Sequence, residues 1–240
     1  MAGAVADKPA RLVAAGEPLV LAGPPARFVG RGGEKLDFAL ERFGVRVAGR
    51  VALDAGASTG GFTDCLLQRG AVRVVAVDVG HGQLHERLRA DPRVDSHERV
   101  NVRYLGATDL GGPFPLVVAD LSFISLRTVA PALVGITAAG GDLVVLVKPQ
   151  FEVGRAVVSR GRGVVRDPAA WRDAVVGVES AMRSQAAVMM GLVASPIRGA
   201  DGNVELLAHF RTGSGSGSPP GAAALVDTAL AGLAADGPPR

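Results

Sequence analysis

Four ionisable residues have the types and positions that proton transfer requires. Asp120 and Lys148 each follow a run of apolar residues typical of a buried strand. Lys35 lies in an amphipathic segment, and Glu205 ends the segment Gly-Asn-Val-Glu at residues 202–205. Charged residues at strand ends are most often solvated, so each of the four alone means little. Burial and a second nearby amine both favour the neutral form of a lysine, and a neutral amine can accept a proton. If the four residues meet in one cleft, they predict a base that deprotonates a hydroxyl group.

Lysine is rare in this chain, and this rarity singles out two of the four residues. The 26 basic residues include lysine only at positions 8, 35 and 148. Such a composition can simply reflect the base content of a genome. Arginine stays protonated in proteins, however, so it cannot replace a lysine that acts as a base. We predict that Lys148 is the base, that Asp120 holds its amine in position, that the charge of Lys35 disfavours the charged form of Lys148, and that Glu205 orients Lys35 or the ribose.

A ligand site is predicted at the turn that follows the apolar run at residues 51–54. Gly56, Gly60 and Gly61 lack a Cβ atom, so the chain can turn sharply there and a ligand can approach the backbone. The hydroxyl residues at positions 58, 59 and 63 can cap the helix predicted to follow. Ligands of open α/β sheets bind at the carboxyl ends of strands, where this turn would lie. A tight turn without a ligand is the alternative interpretation.

An acidic residue, Asp78, ends the next predicted strand. An acid at this distance beyond a glycine turn typically accepts hydrogen bonds from both hydroxyls of a ribose. Asp54, just ahead of the turn, would repel the pyrophosphate of a dinucleotide but suits the ammonium and sulfonium cations of S-adenosylmethionine. We therefore predict S-adenosylmethionine as the cofactor. The predicted cofactor-binding residues are Asp54, Gly56, Ser58, Thr59, Gly60, Gly61, Phe62, Asp78, Val79, Asn101, Val102 and Asp120.

The elements that would position these residues alternate between strand and helix. Near-continuous runs of Val, Leu and Ala, such as residues 143–147, are typical of strands buried on both faces. The alternation predicts an α/β fold with a doubly wound, mostly parallel sheet of seven strands. Helices are predicted at residues 31–43, 59–69, 83–89, 126–133 and 168–187, and strands at 51–54, 72–78, 94–100, 116–120, 142–147, 188–194 and 204–211.

Composition excludes several classes of protein and site. The 240 residues are 48% hydrophobic, which is enough for one substantial core. The single cysteine, Cys65, cannot form a disulfide within the chain or supply a Cys-based zinc site. His81 and His85 are four residues apart but have no third ligand in sight, so we predict no metal. The sequence has no evident secretory signal and no apolar run long enough to span a membrane, so we expect a cytoplasmic protein.

A basic loop at residues 155–166 is the predicted contact for substrate phosphates. Its arginines are Arg155, Arg160, Arg162 and Arg166, and Arg31 lies at the start of the first predicted helix. Arginine side chains commonly contact nucleic-acid phosphates. An ordinary mobile loop is the alternative interpretation.

Five stretches of the sequence, in order, resemble the TlyA branch of the FtsJ-like RNA 2'-O-methyltransferases. They are residues 31–36, 54–63, 118–125, 148–154 and 202–205, and the resemblance covers roughly residues 27–211. It implies a Rossmann-like class I S-adenosylmethionine-dependent methyltransferase that modifies cytidine 2'-hydroxyls in ribosomal RNA. It also implies that Lys35, Asp120, Lys148 and Glu205 form a catalytic Lys-Asp-Lys-Glu tetrad. Members of this family are often named haemolysins, a name to which the composition gives no support.

The domain organisation departs from that of the family. Its members carry an S4 RNA-binding domain ahead of the catalytic domain, whereas residues 1–30 resemble only a reduced remnant of it and a linker. We expect residues 31–212 to form the methyltransferase domain. Residues 213–240, rich in Gly, Ser, Pro and Ala, should be a flexible tail in which residues 222–235 could form a marginal helix.

Several alternative functions are consistent with parts of the sequence. The acceptor could be a small nucleoside-like metabolite instead of RNA or ribosomal subunits, and a homodimer is also considered. A nicotinamide reductase is disfavoured because the Tyr-x-x-x-Lys motif of short-chain reductases is missing: Tyr104, the single tyrosine, is followed by Thr108 at the lysine position. The complete tetrad argues against a non-catalytic RNA-binding module.

Overall fold

Seven strands form one sheet in the computed structural model, which describes residues 26–154, 161, 163–199, 201–213 and 222–235. Their order across the sheet is third, second, first, fourth, fifth, seventh, sixth. The first five strands are parallel to one another, and the seventh is antiparallel to both of its neighbours. The predicted seven-stranded, mostly parallel sheet is therefore confirmed. The strands are β1 (Val51–Ala55), β2 (Arg73–Asp78), β3 (Val94–Glu98), β4 (Phe114–Ala119), β5 (Thr137–Val147), β6 (Ala187–Ala194) and β7 (Leu206–Thr212).

Helices cover both faces of the sheet. One of them, a single turn after β5, has no counterpart in the sequence prediction because one turn is too short to show a helical period. Within the described residues no helix is long and apolar enough to cross a membrane. The helices are α1 (Gly32–Phe43), α2 (Gly61–Gln68), α3 (Glu86–Arg89), α4 (Leu126–Gly135), α5 (Pro149–Glu152), α6 (Pro168–Arg183) and α7 (Ala222–Ala235), with short 3-10 turns at Val102–Tyr104 and Asp109–Gly111.

Side chains of the strands alternate between two hydrophobic cores. Leu53 and Val117 belong to the core that also contains residues of α4, α6 and α7. Ala52 and Val118 belong to the core formed with α1 and α2. Because successive residues of a strand point to opposite faces, a strand covered on both sides must be apolar throughout. This requirement accounts for the Val- and Leu-rich runs seen in the sequence.

The start of α2 differs from the sequence prediction. Its N-cap is Gly60 in a left-handed conformation with φ 97°, and no side chain of the described residues caps the helix, so the predicted capping by the hydroxyls of residues 58, 59 and 63 is wrong. The Thr63 hydroxyl donates to Asp54 Oδ2 instead, at 2.7 Å. The next residue, Gly61, is required by close packing of the two helices, since its Cβ would lie only 3.0 Å from the backbone nitrogen of Gly33 at the start of α1.

Helix α7 lies within the tail that was expected to be flexible. It contacts α6 and β6, and its Val226 and Ala229 are buried in the core. Asp227 forms an ion pair with Arg172 of α6. This part of the tail is therefore packed against the fold, while residues 214–221 and 236–240 lie outside the described residues, as do residues 1–25 of the predicted N-terminal remnant.

Candidate active site

The register of the strands brings the predicted residues to one edge of the sheet. Ala55 of β1 pairs with Val77 of β2 and with Ala119 of β4, so Gly56, Asp78 and Asp120 emerge side by side. Parallel strands end at the same edge, where ligands of open sheets bind. Strand β7 runs the other way, and its Leu206 pairs with Val147, the last residue of β5. Glu205, which precedes β7, and Lys148, which follows β5, are consequently neighbours at this edge.

Two ion pairs join the four ionisable residues. Lys35 Nζ lies 2.5 Å from Glu205 Oε2, and these side chains are only 8% and 4% exposed. Lys148 Nζ lies 2.6 Å from Asp120 Oδ1, although this oxygen accepts no well-aligned hydrogen bond from the part of the chain that the structure describes. The Lys148 ammonium donates a hydrogen bond to Ser122 Oγ at 2.9 Å. Each lysine is thus paired with its own carboxylate. The sequence analysis expected the charge of Lys35 to disfavour a charged Lys148, but in the structure Glu205 compensates the charge of Lys35.

A cavity of about 510 Å³ opens at the same edge. Seven of the predicted cofactor-binding residues line it: Gly56, Ser58, Asp78, Val79, Asn101, Val102 and Asp120. The remaining wall is mainly apolar, and none of the described lining residues is a lysine or an arginine. With Asp78 and Asp120 in its wall, the cavity suits a ligand that carries positive charge and apolar surface.

Asp78 is held in a defined orientation by the backbone around it. Its Oδ2 accepts a hydrogen bond from the Ser58 backbone N–H at 2.8 Å, and its Oδ1 accepts one from the Gly80 N–H at 2.6 Å. A carboxylate can accept about four hydrogen bonds, so both oxygens keep acceptor capacity. Asp78 can therefore accept hydrogen bonds from ligand hydroxyls without reorganising.

Gly56 is required by the close approach of two loops. Its φ is 84°, and a Cβ at this position would lie 2.4 Å from the carbonyl oxygen of Asp120. The Asp120 N–H donates to the Ala55 carbonyl at 3.0 Å, which ties the end of β4 to the end of β1. The missing side chain of Gly56 therefore allows Asp120 to reach the cavity.

Asp54 does not line this cavity. Its side chain is fully buried beneath α2, and within the described residues its Oδ1 has no hydrogen-bond partner. Burial raises the pKa of Asp54 to about 7; the hydrogen bond from Thr63 opposes the rise, and the charges of Asp120 and Asp78 add to it. The carboxylate that sequence analysis placed against the cofactor cations is consequently not exposed to the cavity, and Asp120 lines it instead.

Four further residues predicted to bind the cofactor do not line the cavity but pack around the turn that does. Gly60 leaves room for Leu88, which a Cβ on this glycine would meet at 2.2 Å. Phe62 is buried under the start of α1, and Gly61 allows α1 and α2 to approach. Thr59 is exposed, and its carbonyl accepts a hydrogen bond from the His85 N–H. These residues pack the glycine turn against its neighbouring helices.

Sequence reasoning assigned no role to the residues of the loop that follows Asp120, although residues 118–125 carry part of the family resemblance. Ser122 and Phe123 line the cavity, and Phe123 is 93% exposed with a φ of 64°. Its ring lies 5.4 Å from the ring of Phe151, which in turn lies 5.9 Å from Lys148 Nζ. A positive φ is unusual for a residue with a bulky side chain. The place of Phe123 three residues after a predicted catalytic acid was the available signal.

The histidines form hydrogen bonds to neighbours in the fold. His81 Nδ1 lies 2.5 Å from Glu98 Oε2, and His85 Nδ1 accepts from the Arg87 N–H at the start of α3. Among the described residues no group of three His, Cys, Asp or Glu side chains could hold a metal ion.

The predicted phosphate contacts fall only partly within the described residues. Arg31 precedes α1 and Arg166 precedes α6, and both are exposed. Arg155, Arg160 and Arg162 lie outside the described residues.

Comparisons with known proteins agree with this geometry. The sequence model of a family described as FtsJ-like methyltransferase matches residues 28–212. The 16S/23S rRNA (cytidine-2'-O)-methyltransferase TlyA of Mycobacterium tuberculosis is 51% identical over 211 residues, which are 88% of this chain and 78% of that protein.

Solved structures have the same fold. A protein described as a hemolysin from Streptococcus thermophilus superposes with a TM-score of 0.81 at 40% identity, covering 89% of this chain and 78% of that one. The N-methyltransferase NodS of Bradyrhizobium japonicum, at 22% identity and a TM-score of 0.53, covers 77% of this chain and 98% of that one. The latter likeness concerns the fold alone and agrees with the predicted class I methyltransferase architecture.

Proposed function

Because the chain belongs to the family of FtsJ-like methyltransferases, we propose that it methylates the 2'-hydroxyl of cytidine in ribosomal RNA. The methyl donor is S-adenosylmethionine. One observation carries the proposal: Asp120 lines the cavity and also pairs with Lys148. The place for a donor and the candidate base are therefore adjacent. We further propose that residues 31–212 form the catalytic domain and that the protein acts in the cytoplasm, without a metal.

The cavity suits S-adenosylmethionine better than a dinucleotide. Asp78 presents a fixed carboxylate for ribose hydroxyls, and Val77, Val100 and Val102 provide apolar wall for a base. The charges of Asp78 and Asp120 would attract a cationic ligand and repel a pyrophosphate. When bound, S-adenosylmethionine supplies a methyl group on a positively charged sulfur.

Lys148 is the proposed base. A ribose hydroxyl is a poor nucleophile and must lose its proton as it attacks. In the proposed step, Lys148 Nζ, once its ammonium group has released a proton to solvent, would accept the proton of the 2'-hydroxyl, and S-adenosylmethionine bound in the cavity would supply the methyl group to that oxygen. Asp120 and Ser122 hold Nζ in place before and after this transfer. Holding reacting groups at near-attack distance can supply about 7–11 kcal/mol of a barrier.

Lys35 and Glu205 are proposed to orient the ribose at the same edge. Their pair is buried, so removal of either partner would leave an uncompensated charge. Helix α1, which contains Lys35, also lies close to Asp120, since a Cβ on Gly32 would be 3.8 Å from Asp120 Oδ2. The Lys35–Glu205 pair is therefore proposed to act beside the Lys148–Asp120 pair without accepting the hydroxyl proton itself.

The exposed ring of Phe123 supports an RNA substrate. It lies at the cavity beside Ser122, the partner of Lys148. An exposed aromatic ring offers a face on which an unpaired base can stack, which is worth about 1–3 kcal/mol per base. The exposed Arg31 and Arg166 are the described candidates for phosphate contacts.

Transfer of tritiated methyl groups tests the proposal. Labelled S-adenosylmethionine is incubated with the protein and with intact ribosomal subunits, naked ribosomal RNA or a cell-metabolite extract. We expect label in 2'-O-methylcytidine after digestion of RNA from the subunits, and none with the Lys148→Arg variant. Label confined to the metabolite extract would instead establish a small nucleoside-like acceptor, and label on a base would contradict 2'-O-methylation.

A further inference from the structure

The two loops that carry the proposed base and its partners meet at three places. One loop follows β4 and runs over residues 120–125, and the other follows β5 and contains α5. Lys148 contacts Asp120 and Ser122 at the first place. The rings of Phe151 and Phe123 meet at the second. The third contact, made by Glu152, lies farthest from the cavity along both loops.

Glu152 joins the loops with its carboxylate. Its Oε2 accepts a hydrogen bond from the Ser125 hydroxyl at 2.5 Å, and its Oε1 accepts one from the Leu126 N–H at 2.7 Å. The Glu152 side chain is only 1% exposed, and the guanidinium of Arg127 lies 3.5 Å from Oε2. Burying a carboxylate is costly unless hydrogen bonds and charges compensate it. Burial raises the pKa of Glu152, which the contacts with Ser125, Leu126 and Arg127 partly oppose.

A rigid turn connects this contact to the base. Lys148 and Glu152 are four residues apart across α5, and the Phe151 N–H donates to the Lys148 carbonyl at 2.9 Å. Pro149 at the first helical position restricts the backbone further. A displacement of Glu152 would therefore move Lys148 with it.

The other loop needs an external tether. Phe123 has a φ of 64°, a conformation that costs a residue with a side chain about 1–2 kcal/mol. Such a conformation persists only when surrounding contacts hold it. Glu152 supplies these contacts two and three residues farther along, at Ser125 and Leu126.

We propose that Glu152 is a positioning residue for methyl transfer, which fixes Lys148 against Asp120 and Ser122 by clamping the two loops together. This proposal rests on the methyl transfer proposed above. Glu152 contacts none of the reacting atoms and acts only through the loops. A misplacement of about 1 Å at a reacting group can reduce a rate about 10²-fold, so loss of the clamp should slow the chemical step without weakening donor binding.

Substitutions of Glu152 test this role in the full-length protein. In single-turnover methylation at saturating RNA and donor, we expect Glu152→Ala to be slower by about 10²-fold. Glu152→Gln keeps one acceptor oxygen and should recover part of the rate. The KM for RNA and the Kd for S-adenosylmethionine should stay within about threefold of the unsubstituted values. The matched control is Glu179→Gln, which alters a buried glutamate of α6 paired with Arg183 and should leave the rate unchanged.

Ser125 variants keep the test decisive if Glu152→Ala does not fold. Ser125→Ala removes one half of the clamp and should slow transfer, whereas Ser125→Thr retains the hydroxyl and should restore it. An unchanged rate in Ser125→Ala or in a folded Glu152→Ala protein would overturn the proposal. So would an equal rate loss in Glu179→Gln, because the effect would then be general destabilisation.

Crystal structures of the variants separate this proposal from the proposed function. The distance from Lys148 Nζ to Asp120 Oδ1, now 2.6 Å, should exceed hydrogen-bond distance in Glu152→Ala and stay unchanged in Glu179→Gln. This readout does not depend on the acceptor. If the unsubstituted protein methylates no RNA, the proposed function fails, and the distance still decides whether Glu152 positions Lys148.

Discussion

The two lysines of the site differ in their surroundings. Lys35 is paired with Glu205 away from the cavity lining, whereas Lys148 contacts Asp120 and Ser122, which both line the cavity. A base must reach the hydroxyl that attacks the donor, so position favours Lys148 for this role. Lys35 is placed to hold a neighbouring group.

Substitution of each lysine by arginine distinguishes these roles. Lys148→Arg should abolish methyl transfer while donor binding persists, because a guanidinium stays protonated and cannot accept the proton. Lys35→Arg keeps the charge beside Glu205 and should lose only part of the rate. Single-turnover methylation and a donor titration on each variant measure these effects. Near-normal turnover by Lys148→Arg would mean that another group accepts the proton.

Asp78 should determine the affinity for the donor. Asp78→Ala removes the acceptor for ribose hydroxyls and leaves the Ser58 and Gly80 N–H groups without their partner. We expect the Kd for S-adenosylmethionine to rise about tenfold or more, equivalent to about 1.4 kcal/mol. Isothermal titration measures it, and circular dichroism checks that the fold is retained. Unchanged affinity would remove Asp78 from the donor site.

Asp54 should make the free energy of unfolding depend on pH. Its pKa is raised from 3.8 to about 7 in the folded state. Between about pH 4 and pH 7 the Asp54 carboxyl group is therefore protonated in the folded protein and ionised in the unfolded chain. The stability of the unsubstituted protein therefore falls as the pH rises toward 7, and Asp54→Asn escapes this loss. The stability of the variant relative to the unsubstituted protein should rise by up to about 3 kcal/mol between pH 5 and pH 8. Urea unfolding at the two pH values measures the change, and a difference independent of pH would contradict the raised pKa.

The glycine turn after β1 allows the loop that follows β1 to contact the loop that follows β4. Gly56→Ala introduces a Cβ 2.4 Å from the Asp120 carbonyl in addition to the strain of a φ of 84°. Gly49→Ala is the matched control, since Gly49 has a φ of 79° and open space where the Cβ would lie. Strain alone costs about 1–2 kcal/mol, so the control should lose about that much stability and keep its affinity for the donor.

The Gly56→Ala variant should lose more stability than the control and also bind the donor more weakly. The clash must displace Asp120, and Asp120 lines the cavity. Thermal unfolding and donor titration of both variants test this expectation. Equal losses in the two proteins would show that only backbone strain matters at Gly56.

Helix α7 completes the hydrophobic core beside the edge strand β6. It packs on α6 and β6, at the end of the sheet opposite β3. Val226→Ala removes two fully buried methyl groups and should lower the free energy of unfolding by about 2 kcal/mol while leaving methyl transfer unchanged. The control is Asp227→Ala on the same helix, which breaks an exposed ion pair and should cost less than about 1 kcal/mol. Denaturant unfolding and single-turnover rates measure both, and a selective loss of activity would mean that α7 acts on the site.

The order of the elements and the placing of three acidic or basic residues at one edge of the sheet could be predicted from the sequence alone. Asp120 and Lys148 follow apolar runs typical of buried strands, and the carboxyl ends of parallel strands share an edge. Asp78 follows the same rule after β2. These inferences need only local periodicity and chain direction, which is why they could be made without coordinates.

Which side chains meet, and which of them face the cavity, depends on tertiary contacts that the sequence analysis could not supply. Lys35 and Glu205 form their pair across 170 residues of sequence. Asp54 is turned beneath α2, and Phe123 is turned outward, although local patterns placed the carboxylate in the site and overlooked the ring. Glu152 joins two loops whose sequences carry no sign of the contact. Burial and pairing depend on residues brought together from distant parts of the chain, so no local pattern encodes them.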